Sequence, residues 1–460
     1  MTADVRKRSP AVEEAALDWP MLDALLGGTR AMRMAGRQML PQWPNEDRLS
    51  YEQRLATATL FPAYQRTVDV LAAKPFSKPV VIGESVPSRL REWSEDIDLQ
   101  GRNLHVFAAD IVEEALSHGI SGILVEYPRA QGIRTQADEA AAGIRPYWVQ
   151  IHPKQLLGWK AGRLNGVWQF TQLRLLESVT VEDGMFGERS IEQVRVLVPG
   201  GYQLWRANSE GREWYLFEEG TTTLPVIPFV PVYSQRDGFM KWRPPLLDLA
   251  FQNVKHWQSQ SDQDTILHVA RVPILFGRGL PDDTQITVGA SSAIKSTAPD
   301  ADLKFVEHSG NAIGAGKESL LALEDQMRQT GAELLVIKPG GMSDTQTLAD
   351  NESGRCALQR LVEDAEDALE MALELTAQWV GESTGGDIEI FDDFGAATLA
   401  EASADLLLRA NTAGKISDET LFEELKRRSL IGSERTWEDE QERISGQGPA
   451  LGTVGGQPDP

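Results

Sequence analysis

The sequence predicts an α+β fold, and three observations support this class. Apolar residues recur at helical spacing in the first third of the chain and again after residue 244. Between residues 145 and 233 the pattern changes to short β-branched and aromatic runs separated by Gly, Asn, Asp and Pro. The helices and strands therefore lie in separate blocks, and we see no internal repeat.

Length and composition exclude several classes of protein. The 460 residues, 41% hydrophobic and 25% charged, suit a globular protein of several domains. The sequence contains no run of about 18 apolar residues, so no membrane span is predicted. The first residues lack the apolar core of a signal peptide, so we expect synthesis in the cytoplasm. The single cysteine, Cys356, excludes an internal disulfide and a thiolate metal cluster.

The net charge of -23 is concentrated towards the C-terminal part of the chain. Residues 361–443 contain 22 acidic side chains and 7 basic ones. Proteins that bind nucleic acid tightly neutralise its phosphates with basic side chains. This region would instead repel or guide DNA.

The N-terminal third begins with a segment that reads as a partly ordered arm (1–50), because prolines interrupt it. Residues 51–71 follow helical spacing with a break expected near Pro62. A second helix is predicted over residues 104–118, with Gly119 as its C-cap and a buried strand beginning at Ile120.

The strand block that follows suits an antiparallel meander. Its tryptophans are usually core residues, and a face that stacks on sugars or bases is the less common alternative. Its predicted strands contain YWVQI (147–151), LLGW (156–159), VWQF (167–170), QVRVLV (193–198), YQLW (202–205) and WYLF (214–217).

After Pro244 and Pro245 we predict a helix to about Ala270, roughly 37 Å long and polar on nearly all sides between residues 252 and 264. A helix of this kind bridges domains or packs beside copies of itself. A small β module (271–308), a helix from Lys317, a glycine-rich loop (338–347) and an acidic helix (350–380) follow. Two shorter helices (397–411 and 417–428) precede a tail rich in Gly and Pro.

No convincing catalytic motif appears, so we expect neither an enzyme nor a cofactor. The stretch from Gly310 to Lys317 resembles a phosphate-binding loop, but Asn311 and Glu318 occupy positions that the motif reserves for Gly and for Ser or Thr. The six histidines show no metal-ligand spacing. Cys356 reads as a small core residue. The pair Asp392 and Asp393 reads as part of a solvated acidic face, and no metal site is predicted.

The order of segments after residue 51 resembles the portal proteins of tailed bacteriophages. Each motif is degenerate, and their order over some 400 residues carries the likeness. The segments are RPPLLDLA (243–250), ARVPILFG (270–277), LEDQMRQTGAELL (323–335), AGKISDETLFEEL (413–425) and EDEQERI (438–444).

The resemblance implies a portal-like fold with the following parts: an N-terminal arm (1–50), an α/β wing (51–243), a first stem helix (244–270), a clip with β structure (271–316), a second stem helix (317–337), a tunnel loop (338–350), a long wing helix (351–382), a short helical crown (383–446) and a disordered tail (447–460). The crown lacks the long helical barrel of larger portals, which puts any pressure-sensing role of such a barrel in doubt.

The resemblance also implies a function: a homo-oligomeric ring, dodecameric in the capsid, at one vertex of the virion. Double-stranded DNA would pass through it during packaging and ejection. The implied protein partners are the terminase large subunit, a head-tail adaptor, and the major capsid and scaffolding proteins, with no membrane. The tunnel loop would contact DNA through Lys338, Gly340, Gly341, Ser343, Thr345, Gln346 and Thr347, and the clip would contact terminase or adaptor through Arg271, Arg278, Lys295 and Lys304.

Two other readings stay open. Lys338 is about as well explained as a residue that caps the preceding helix. The whole chain could also be an acidic adaptor or scaffold protein of a virion that never encloses DNA. A nucleotide-dependent enzyme is a distant third.

Replacing Gly340 and Gly341 together with Ala tests the loop assignment. We expect ring formation to survive, because the change lies in a loop, and DNA packaging to fall, because alanine restricts the backbone. Microscopy of the variant and a packaging assay measure the two properties. Packaging at the wild-type level would remove the functional role of the loop.

Overall fold

The computed structural model describes residues 4–128, 142–164, 166–207, 213–270, 274–278, 302–306, 311–335, 356–392, 407–427, 431–432 and 435–446. The chain divides into two compact units. The first comprises Met1–Leu334 and Arg360–Ile390, and the second comprises Leu335–Gln359 and Phe391–Pro460. Helices and strands alternate in blocks, so the predicted α+β class is confirmed.

The N-terminal segment is helical, and the prediction of a partly ordered arm is wrong. It forms α1 (Pro10–Ala15), α2 (Trp19–Leu26) and α3 (Gly28–Ala35). Pro10 and Pro20 fall in the first turns of α1 and α2, where a backbone N–H has no helical partner and proline is tolerated. The buried side chains of these helices anchor the segment: Val12, Trp19, Leu22, Leu25 and Met32.

The next helices agree with the sequence pattern. Helices α4 (Arg48–Thr57) and α5 (Ala63–Ala73) are separated at Pro62, as predicted. Short elements β1 (Val81–Ile82) and α6 (Ser88–Trp93) lead to α7 (Leu104–His118). At its start the Val106 N–H donates to Asn103 Oδ1 over 2.9 Å, and at its end Gly119 adopts a φ of 89°. The predicted glycine C-cap is confirmed.

Two antiparallel sheets follow. Strands β2 (Ile120–Glu126) and β3 (Tyr147–Ile151) pair in a buried three-stranded sheet, whose other edge is β9 (Phe229–Tyr233). The predicted meander is confirmed for five strands, which pair in chain order: β4 (Leu156–Leu164), β5 (Val167–Asp183), β6 (Gly187–Val198), β7 (Gly201–Ala207) and β8 (Trp214–Thr221). The remaining predicted strand, 147–151, is β3 and belongs to the three-stranded sheet. Strand β9 (Phe229–Tyr233) then returns to β2, and the short pair β10 (Arg236–Gly238) and β11 (Lys241–Trp242) closes this block.

The tryptophans of these strands are not uniformly core residues. Trp148 of β3 is fully buried, and its indole N–H donates to Thr376 Oγ1 over 2.9 Å. Trp168 of β5 is exposed. Met185 and Phe186, at the tip of the β5–β6 hairpin, are 88% and 93% exposed. The expectation of a tryptophan core therefore holds for Trp148 and not for Trp168.

The last part of the first unit contains three long helices. These are α8 (Leu247–Ala270), α9 (Asn311–Ala332) and α10 (Ala357–Val380). Between α8 and α9 the structure describes strands β12 (Ile274–Arg278) and β13 (Asp302–Val306), which pair antiparallel. A single 3-10 turn (Glu333–Leu335) follows α9, and β14 (Ile388–Glu389) pairs with β1.

The acidic helix α10 buries the face that its spacing predicts. The buried residues are Leu358, Leu361, Val362, Ala365, Leu369, Ala372 and Leu373. In the second unit, residues 407–412 are helical, and α11 (Asp418–Arg427) and α12 (Trp437–Gly446) follow. Ser417 caps α11, since its Oγ accepts from the Thr420 N–H over 3.1 Å. In the described part of the chain, no helix has both the length and the apolar character needed to cross a bilayer.

A pair of glycine substitutions tests the junction between α7 and β2. Gly119 and Gly101 have nearly the same φ, 89° and 91°, but a Cβ on Gly119 would lie 2.7 Å from Trp242 Cδ1, whereas a Cβ on Gly101 would meet nothing within 4 Å. Gly101→Ala should lower the free energy of unfolding by about 1–2 kcal/mol through its backbone angle. Gly119→Ala should lower it by about 1–3 kcal/mol more through overpacking. Equal losses in urea unfolding would show that this junction is not tightly packed.

Candidate functional site

The two stem helices predicted by the resemblance form an antiparallel pair. Two contacts fix the direction: Gln263 Nε2 donates to the Ile313 carbonyl over 3.0 Å, and His256 Nε2 lies 3.4 Å from Glu324 Oε1. As residue numbers fall along α8 they rise along α9. The helices have 24 and 22 residues, so each is about 33–36 Å long. The pair is a long two-helix element with the β12–β13 strands joining its ends.

The glycine-rich stretch after residue 310 is the beginning of α9. Residues 311–317 are helical, and they form no phosphate-binding loop. A Cβ on Gly316 would lie 2.0 Å from Gln263 Oε1. Glycine at this position therefore leaves room for the Gln263 carboxamide against the backbone of α9. The helix also starts six residues before the predicted Lys317, inside the segment assigned to the clip.

Helix α8 is less exposed than its polar sequence predicts. Asn253 is fully buried, and it joins α8 to the chain around α5: its Oδ1 accepts from the Tyr64 N–H over 2.9 Å and its Nδ2 donates to the Phe61 carbonyl over 2.8 Å. Gln258 Nε2 donates to the Met39 carbonyl over 3.0 Å. The prediction that this helix is polar and solvated on nearly all sides is wrong, because several of its polar side chains satisfy buried backbone groups within the chain.

His256 is the buried titratable group of the helix pair. Burial lowers the pKa of His256, and the nearby Glu324 carboxylate acts in the opposite direction. Its ring also lies 5.3 Å from that of Phe61. The neutral imidazole is therefore the form that packs between α8, α9 and Phe61 at neutral pH.

The outer surface of the pair mixes apolar and acidic side chains. Phe251 and Leu321 are 53% and 50% exposed, and Ile266 is 36% exposed. On each helix the carboxylates outnumber the lysines and arginines.

Three glutamates of α10 bind backbone rather than solvent. Glu366, Glu370 and Glu374 stand one turn apart, and their carboxylates accept from the N–H groups of Ile390 (2.5 Å), Ile388 (3.1 Å) and Gly385 (2.8 Å). They hold the returning chain alongside α10, so part of the acidic run is structural.

The structure locates only part of the predicted contact set. Arg278 is exposed at the end of β12, where its backbone pairs with Asp302. Lys304 lies in β13, opposite Phe276. The remaining predicted residues lie outside the described residues: Arg271, Lys295, Lys338, Gly340, Gly341, Ser343, Thr345, Gln346 and Thr347.

Comparisons with known proteins give a match over this part of the chain. Residues 245–380 match a family model described as a domain of unknown function (DUF4055). None of the curated proteins matches the chain.

Solved structures of gene transfer agent particles contain chains that match this one at low TM-scores. A chain in a structure titled "Virion of native gene transfer agent (GTA) particle" is 13% identical, with a TM-score of 0.41 over 87% of this chain and 98% of that one. Chains from the neck of the empty particle (C6 symmetry) and of the native particle (C12 symmetry) are 14% and 13% identical, with TM-scores of 0.40 and 0.41. They cover 81% and 80% of this chain and 90% and 89% of their own. At such values, function has to be argued from this chain's own residues.

Substitution of Asn253 tests whether the polar contacts of α8 hold the fold together. Asn253→Ala removes the partners of two buried backbone groups, each worth about 1–3 kcal/mol, so we expect the free energy of unfolding to fall by at least about 2 kcal/mol. Gln260→Ala is the control, since the Gln260 carboxamide donates to Asp264 on the surface of the same helix, and its effect should stay within about 0.5 kcal/mol. Equal effects of the two variants in urea unfolding would contradict this role.

Proposed function

We propose that this chain is the subunit of a phage-type portal ring, through which double-stranded DNA enters and leaves a capsid. The observation that carries the proposal is the antiparallel pair α8 and α9, whose ends are joined through the strands β12 and β13. This is the stem-and-clip order that the resemblance implied. A long helix pair that projects a small β element is suited to be one segment of a channel wall.

The exposed apolar side chains of the pair support assembly into a ring. Phe251, Ile266 and Leu321 lie on the two helices without burial inside the chain. A head-to-tail contact between neighbouring subunits would bury these residues of every subunit against the next one. If each subunit is rotated by the same angle relative to its neighbour, such contacts close into a ring. The proposal assigns twelve subunits to the ring in the capsid.

The charge of the helices supports passage of DNA rather than binding. Both α8 and α9 carry more carboxylates than basic residues. Duplex DNA carries one charge per about 1.7 Å, and tight binding would need basic side chains to neutralise it. An acidic wall keeps the affinity low, which permits sliding.

The strands β12 and β13 are the proposed contact for other proteins of the assembly. Arg278, exposed at the end of β12, is available to an acidic partner surface. The proposed partners are the terminase large subunit during packaging and a head-tail adaptor afterwards, with capsid and scaffolding proteins around the ring. In this role the chain is a structural component of the virion, and the ATPase chemistry belongs to the terminase.

Negative-stain microscopy and light scattering of the purified full chain test the proposal. We expect rings with a central hole and a mass of many subunits. Phe251→Glu combined with Leu321→Glu should dissociate them, because two charges would have to be buried at the contact. Leu49→Glu, another exposed residue outside the helix pair, is the matched control.

A monomer at high concentration, or assemblies without a hole, would overturn the proposal. That result would favour the second candidate, an acidic adaptor or scaffold of a virion, which the strongly negative charge of the chain also suits.

A further inference from the structure

Two histidines and a glutamate from separate parts of the sequence meet beside α7. Glu114 and His118 stand one helical turn apart on this helix, so their side chains share a face. His152 follows strand β3 and reaches the same place. One ligand atom from each residue lies within 4.8 Å of the other two. The spacing of histidines along the sequence predicted no metal site, because only the sheet brings His152 to α7.

We propose that Glu114, His118 and His152 form a binding site for a divalent transition-metal ion, with zinc as the best match. Zinc prefers imidazole and carboxylate ligands at about 2.0–2.2 Å in a tetrahedral arrangement, which places ligand atoms about 3.3 Å from one another. The measured separations lie on both sides of that value. Glu114 Oε1 is 2.8 Å from His152 Nε2 and 3.7 Å from His118 Nδ1.

The surroundings hold two of the three ligands in the orientation a metal needs. Metal-binding histidines usually donate their other ring N–H to a carboxylate, and His118 Nε2 lies 3.4 Å from Asp23 Oδ1. Lys154 forms an ion pair with the same Asp23 carboxylate. The second oxygen of Glu114, Oε2, accepts from Gln150 Nε2 over 3.2 Å. His118 and Glu114 are both largely buried, so these contacts are shielded from water.

Two hydrogen bonds within the site compete with a bound metal. His152 Nδ1 accepts from the Lys154 N–H over 3.1 Å, and His118 Nδ1 lies 2.9 Å from Ser117 Oγ. Coordination through His152 Nε2 requires the proton of this ring to lie on Nδ1, so the Lys154 hydrogen bond is exchanged for a metal bond.

A bound ion would connect three parts of the first unit. His118 ends α7, His152 follows β3, and Asp23 lies on α2 in the N-terminal helical segment. A ligand that binds only the folded protein raises its unfolding temperature. A bound ion would therefore stabilise the contact between the N-terminal helices and the central sheet.

The test uses the full chain without an affinity tag, stripped with a chelator and titrated with Zn²⁺ by calorimetry and with Co²⁺ by visible spectroscopy. We expect one ion per chain, the intense bands of tetrahedral Co²⁺, and a higher unfolding temperature with Zn²⁺. Glu114→Gln and His152→Gln should each weaken binding by roughly tenfold or more.

Two variants serve as matched controls. Glu113→Gln changes the neighbouring carboxylate on α7, and His105→Gln changes a histidine at the start of the same helix. Both should bind Zn²⁺ as the wild type does. Unfolding in the presence of chelator shows whether each variant is folded. If Glu114→Gln does not fold, His152→Gln provides the test, because the His152 side chain is a third exposed.

The proposal is overturned if Zn²⁺ does not bind at one ion per chain, if the Co²⁺ bands are those of an octahedral ion, or if folded His152→Gln binds as tightly as His105→Gln. None of these readouts depends on ring formation.

Discussion

The buried carboxamide of Asn253 is the constraint on which the placement of the long helices depends. It satisfies one N–H and one C=O of the chain that enters α5, and so fixes α8 against the helical part of the first unit. Helix α9 is then positioned along α8 by the hydrogen bond from Gln263 to the Ile313 carbonyl. Polar groups buried with partners specify geometry more sharply than apolar contact does, because an unpaired group is costly. The helix pair is thus oriented by hydrogen bonds.

The acidic character of the chain has two separate uses. On α10, three glutamates at successive turns bind the N–H groups of the returning chain. A carboxylate that accepts from backbone is part of the fold, and its charge is not free to act on a polyanion. Helices α8 and α9 carry both carboxylates and exposed apolar side chains. On this surface the negative charge influences which molecules can bind. Net charge alone does not separate these uses.

Local sequence patterns predicted much of the fold. The contacts between residues far apart in the sequence could not be predicted from such patterns. The buried face of α10, the break at Pro62, the cap at Gly119 and the five-stranded meander all follow from spacing and turn residues. The N-terminal helices were missed because prolines in first turns look like helix breakers. The polar side chains of α8 looked solvated because their partners lie some 200 residues earlier. His152 meets α7 only through sheet pairing. Of the predicted contact residues, only Arg278 and the backbone of Lys304 are described.

The close approach at Gly316 has a mechanical consequence. With the Gln263 side chain lying against the bare Cα and donating to the Ile313 carbonyl, α8 and α9 are interlocked at one level along their length. Sliding one helix past the other would break the hydrogen bond from Gln263 to the Ile313 carbonyl and would force the Gln263 carboxamide against the backbone of α9. A force along the axis of the pair is therefore transmitted by both helices together, and sliding between them is resisted where Gly316 lets the Gln263 side chain reach the backbone of α9.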